Sequence, residues 1–150
     1  MSDSAQFDYT IAENLRWFGA VYVAALLLVG FAIGMLRAAA GIELPSTGIG
    51  IGVYVALVYL AGNRFAGRRG FNWTSGDRHN LALGYLIIAV VVSCLLMAAM
   101  FALEPASLAM LSNLSGMIGI VIAIVLAVAL LYYGMARVAL KLIARRGGQP

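Results

Sequence analysis

The sequence predicts an all-α polytopic membrane protein, a four-transmembrane-helix bundle with both termini cytoplasmic. Three observations predict it. Of the 150 residues, 63% are hydrophobic and 11% charged, with a mean hydropathy of +0.97. Soluble domains are about half apolar and a quarter charged, so this composition excludes one, along with disorder, collagen and disulfide scaffolds. The charges divide the chain into apolar stretches of membrane-crossing length. The basic residues collect on one side of those stretches.

The elements follow in order. Phe7, Ile11, Leu15 and Phe18 are spaced by four, four and three, which places them on one helical face. Thr10 and Glu13 have the spacing of a capping box. Residues 7–16 therefore read as an amphipathic lead-in lying on the inner leaflet, or as an early start of the first span. Trp17 and Tyr22 are then expected near the headgroups.

A hydrocarbon core of about 30 Å needs roughly 20 apolar residues per helix. Arg16 and Arg37 bracket 20 residues, and Glu43 and Arg64 another 20. His79 and Glu104 bracket 24, and Glu104 and Arg137 bracket 32. The working spans are residues 17–38, 44–63, 80–103 and 117–136, all in a single domain covering 1–150. Residues 105–116 read as loop and helix start. The apolar runs 86–92 and 118–131 lack the alternation of barrel strands, so helices fit and strands do not. The first span is too long, and its lead too acidic, for a cleaved signal.

Thr74 and Asp77 repeat the capping-box spacing, so the second loop is expected to end there. Gly67 and Gly70 flank Arg68 and Arg69 and suggest a tight basic turn. The tail, 137–150, carries Arg137, Lys141 and Arg145 at spacings of four, with Arg146 following. That basic face suits an anionic inner leaflet.

Nine of the ten basic residues fall at the N-terminus, second loop and tail, and only Arg37 falls outside them. In short loops this asymmetry sets orientation, so both termini are expected in the cytoplasm. The net charge of +4 is mostly this topology signal, and nucleic acid is not an expected partner. Arg64, Arg68, Arg69, Arg137, Lys141, Arg145 and Arg146 are the candidates for a cytoplasmic contact or for lipid headgroups.

Helices in lipid associate through small residues. Gly30 with Gly34, Gly48 with Gly52, and Ala89 with Ser93 are the packing candidates, expected to act mainly within one chain. The alternating glycines in 47–52 read as a packing device, or as exposed backbone lining a pore.

Apart from Arg37 at the edge of the first, no assigned span holds Asp, Glu, Lys, Arg or His. A buried charge costs roughly 2.5–3.5 kcal/mol on insertion scales and is usually kept for function. Its absence argues against a proton-coupled transporter. One His and one Cys leave no zinc cluster or paired haem ligation, and no cofactor is expected.

The stretch 46–95 resembles a family of small, uncharacterised four-helix proteins of the bacterial inner membrane. The resemblance rests on Thr47, Gly48, Ile49 and Gly50, on Ala61, Gly62, Asn63, Arg64 and Phe65, and on the Arg68 and Arg69 turn. It continues through Thr74 and Asp77 into Leu81, Ala82, Leu83 and Gly84. The chain departs from the family at Trp73, where a proline is frequent, and at Asp77, where a glutamate is. The resemblance implies a bacterial inner-membrane setting and no particular activity.

The expected function is that of a non-enzymatic accessory, assembly or stabilising component. Its partners would be the bilayer and either another membrane protein or further copies of the chain. A small homo-oligomeric channel or transporter is the alternative, with 47–52, Asn63, Ser93 and Asn113 as lining. A headgroup enzyme using Asp77 and His79 is the third reading.

Overall fold

The computed structural model describes residues 10–41, 46–70, 73–103 and 118–146. Among them lie four helices: α1 (Ile11–Ala40), α2 (Ser46–Arg69), α3 (Ser75–Leu103) and α4 (Ile118–Arg146). Each contains a segment long and apolar enough to cross a membrane. The described chain is all-α, as the composition and the apolar runs require.

Local chemistry sets the helix ends. Thr10 Oγ1 accepts the Glu13 backbone N–H at 3.3 Å, and Glu13 Oε2 accepts the Thr10 N–H at 2.9 Å. This reciprocal pair satisfies two amides that the first turn leaves orphaned. Thr74 and Asp77 do the same for α3, with both bonds at 3.1 Å. Helix α1 closes on Gly41 at φ +65°, whose N–H bonds to Arg37 O at 3.1 Å. Helix α2 closes on Gly70 at φ +84°, a backbone that L side chains resist and glycine accepts.

Three local expectations change. The lead-in is the first turns of α1, which runs unbroken from Ile11 to Ala40. Its apolar face packs inward, with Phe18 fully buried and Ile11 and Leu15 against the core. Phe7 lies outside the described residues. Tyr22 is buried in the bundle, because its ring stacks on Phe18 at 5.5 Å. The two arginines of the expected basic turn are instead the last residues of α2, which closes at Gly70. The stretch 105–116 lies outside the described residues.

Helix α1 packs against α2 and α3, and α4 packs against the same two. The four form a square in which α1 lies diagonal to α4, and α2 diagonal to α3. Residue pairings give the directions. Leu15 meets Gly84 and Gly19 meets Ile88, so α1 and α3 run parallel; Gly62 meets Leu140 and Ile143 while Tyr54 meets Tyr132, so α2 and α4 do too. The link from α2 to α3 therefore crosses a diagonal. Side-by-side helices lie 8–10 Å apart, giving a diagonal of about 11–14 Å. Five linking residues, 70–74, reach roughly 17 Å, which is enough.

The packed core sits toward the basic end. Phe18, Tyr54, Phe65, Tyr85, Leu140 and Ile143 are fully buried there. In the opposite half, Leu27, Phe31, Leu95, Ile122 and Leu126 are exposed, as suits lipid-facing surface.

Candidate functional site

One buried polar side chain organises the basic half. Asn14 on α1 is fully buried. Its Nδ2 donates to Ala61 O on α2 at 3.0 Å. Its Oδ1 accepts the Tyr85 hydroxyl of α3 at 2.7 Å. Three helices thus share one amide, and a buried amide must find such partners or incur its desolvation cost.

Beneath it, rings from all four helices meet. Phe18 lies 4.4 Å from Tyr85 between centroids and 6.3 Å, edge-on, from Tyr54. Tyr54 lies 4.4 Å from Tyr132. The Tyr54 hydroxyl is buried with no hydrogen-bond partner. Each parallel helix pair adds a notch. A Cβ on Gly84 would stand 2.6 Å from Leu15 Cδ1 and Cδ2. A Cβ on Gly62 would stand 2.6 Å from Ile143 Cδ1. A side chain at either position would force its neighbour across the helix interface to shift.

The end of the bundle is basic, and its cations rest on rings. The Arg64 guanidinium lies 4.7 Å from the Trp17 ring centroid, and that of Arg69 lies 5.5 Å from Phe65. Arg137 sits 5.9 Å from Tyr133. Trp73 packs edge-on against Phe65 at 5.3 Å and donates its indole N–H to Gly70 O at 2.7 Å. The Tyr133 hydroxyl and His79 Nδ1 share a hydrogen bond of 2.6 Å, linking α3 to α4. Arg69 and Asp77 approach only to 4.0 Å.

Between the start of α3 and the end of α4 lies a cleft of about 480 Å³, lined by Ser75, Arg78, Arg137, Val138 and Lys141. Three cations and one hydroxyl line this space, and among the described residues no carboxylate does. Compared with known protein families, curated proteins and solved structures, the chain matches none. The reading of the site therefore rests on its own chemistry.

The expected contact residues divide between two settings. Arg137 and Lys141 come together in the cleft, Arg137 also resting against Tyr133, whereas Arg64 and Arg69 lie over rings away from it. Arg68 and Arg145 are exposed, and the Arg146 side chain lies outside the described residues. Of the packing candidates, Ala89 is buried and Ser93 lines a groove between α3 and α4. Among the described residues, Gly30, Gly34, Gly48 and Gly52 meet nothing within 4 Å, and Gly50 is equally open. Asn63 bonds back to Tyr59 O of its own helix at 3.0 Å, and Asn113 lies outside the described residues.

Sequence reading missed Asn14, Ser75 and Arg78 as site members. Asn14 had a signal: it lies between Ile11 and Leu15, close to the apolar face that enters the bundle. Ser75 and Arg78 gain meaning only from α4.

Proposed function

We propose that the chain is a non-enzymatic accessory, assembly or stabilising component of a bacterial inner membrane, acting by contact with another membrane protein. The observation that carries this reading is the contrast between the two halves of the bundle. The basic half is bonded and notched together. In the other half, Gly30, Gly34, Gly48 and Gly52 meet nothing within 4 Å among the described residues. In lipid, apolar exposure costs little, but a small-residue notch is better filled by a helix than by mobile acyl chains. The groups suited to chemistry also have structural partners: Asp77 caps α3 and His79 holds Tyr133.

The positive-inside asymmetry favours a cytoplasmic basic end, with both termini there. A C-terminal fluorescent-protein fusion should fluoresce, and alkaline phosphatase fused within 42–45 should be active. The reverse pattern removes this orientation.

The contact role is tested by purifying the tagged chain from its native membrane in mild detergent and quantifying co-purifying proteins. A stoichiometric membrane partner, lost in the Gly30→Leu/Gly34→Leu variant while the fold is retained, is the expected result. A homo-oligomer that passes ions or solutes in vesicles replaces this reading with the channel alternative. A monomer without a partner refutes both.

A further inference from the structure

We propose that the cleft between α3 and α4 is a discrete binding site for the phosphate headgroup of an anionic phospholipid. The site goes beyond the accessory role above and does not depend on it.

Arg78 comes from the start of α3, and Arg137 and Lys141 come from the end of α4. These positions are about sixty residues apart in sequence, and antiparallel packing of the two helices brings them to one cavity. Like charges at close quarters repel unless an anion lies between them. The nearest acid in sequence, Asp77, is committed to the Thr74 cap and lies 4.0 Å from Arg69. It does not line the cleft. Among the described residues no carboxylate lines the cleft to balance its three cations, of which Arg137 also rests against the Tyr133 ring. The first turn of α3 adds the positive end of its dipole, and Ser75 adds a hydroxyl.

Depth selects the kind of anion. The His79–Tyr133 bond lies one turn from the cleft toward the apolar spans. Val138 in its lining is exposed, and so are Leu130 and Leu131 on the span that leads to Arg137. The cavity therefore stands where an apolar helix surface meets a charged one, at headgroup level. A phospholipid places a phosphate at that depth while its chains remain in the bilayer. The shared chemistry is a phosphate. Its lipid form alone is held at high local concentration at that level.

The test uses the full chain in neutral detergent with equimolar phosphatidylglycerol and phosphatidylcholine. Native mass spectrometry reads the lipids retained. Wild type should retain phosphatidylglycerol preferentially. Each cation near an anionic headgroup is worth about fivefold. Arg137→Gln/Lys141→Gln should therefore lower the preference by about tenfold or more. Arg16→Gln/Arg37→Gln removes the same charge at two positions that do not border the cleft and should change it less than about threefold. Equal loss in both double variants would reduce the effect to general electrostatics and overturn the site. Equal retention of the two lipids by wild type would also overturn it, and needs no variant. If Arg137→Gln/Lys141→Gln does not fold, the exposed single substitution Lys141→Gln carries the comparison, with a loss of about fivefold expected. Inorganic phosphate and chloride at matched ionic strength should displace the lipid equally. Selective displacement by phosphate would assign the cleft to a soluble phosphate and overturn the lipid assignment.

Discussion

The Tyr85 hydroxyl donates to Asn14 Oδ1 at 2.7 Å, and both side chains are fully buried. This bond joins α3 to α1, while the other end of the same amide holds Ala61 O of α2. Replacing Asn14 by Ala orphans the Tyr85 hydroxyl. Ala61 O is less affected, since a carbonyl has a second lone pair for its own helix. Hydrogen bonds between membrane helices average about 0.6 kcal/mol, with a maximum near 1.7. An orphaned buried group adds its desolvation cost. Asn14→Ala should therefore destabilise by about 1–2 kcal/mol, read by reversible unfolding in mixed micelles. A double cycle with Tyr85→Phe should show coupling, because each single change removes the same bond. Additive costs would contradict the shared bond.

Tyr54 gives the opposite expectation from the same residue type. Its hydroxyl is buried without a partner, while its ring contacts Tyr132 at 4.4 Å. Tyr54→Phe keeps the ring and removes the unsatisfied group. Stability should be unchanged or rise by up to about 1 kcal/mol. Tyr85→Phe should lower it. A thermal melt of the two variants side by side separates these signs.

The notch at Gly62 can be tested by moving one methyl group. A Cβ there would meet Ile143 Cδ1 at 2.6 Å and Leu140 Cδ2 at 3.0 Å. Both neighbours are fully buried, so neither can swing into lipid. Gly62→Ala should cost about 1–3 kcal/mol. Ile143→Val deletes the Cδ1 atom itself, so Gly62→Ala/Ile143→Val should recover much of that loss. Gly34→Ala meets open space and should be neutral or slightly stabilising, since alanine is the better helix former.

At the second loop, the cap should matter more than the ion pair. Asp77 accepts the Thr74 N–H at 3.1 Å, whereas its approach to Arg69 is 4.0 Å. Loss of a helix cap costs about 1 kcal/mol. Exposed ion pairs contribute about 0–1 kcal/mol and are screened by salt. Asp77→Ala should therefore destabilise more than Arg69→Ala, and added salt should not erase the difference. Equal costs would place the ion pair above the cap.

The ends of the helices were legible because their causes are local. Thr10 with Glu13 and Thr74 with Asp77 are pairs three residues apart, and the bonds form within one turn. The fate of the glycines was not legible. Gly30 and Gly34 have the familiar spacing and meet nothing within 4 Å among the described residues, while Gly62 and Gly84, neither in a G-x-x-x-G pair, carry the close approaches. Spacing describes one helix, but a notch needs a knob on another. The cleft shows the same limit. Arg137 and Lys141 were visible as a basic face, but Arg78 joins them only through helix packing.

By itself the sequence determined the helical class, the number of apolar helices long enough to span and the N-terminal caps of α1 and α3. Those follow from chain length, apolar runs and hydrogen bonds that close within a few residues. Only the tertiary structure decided the square arrangement, with α2 diagonal to α3. It also decided that Asn14 serves three helices and that Ser75, Arg78, Arg137 and Lys141 line one cavity. The physical reason is that lipid solvates every apolar face about equally. Hydropathy cannot then choose which faces meet. That choice falls to shape and to polar bonds between residues far apart in the chain.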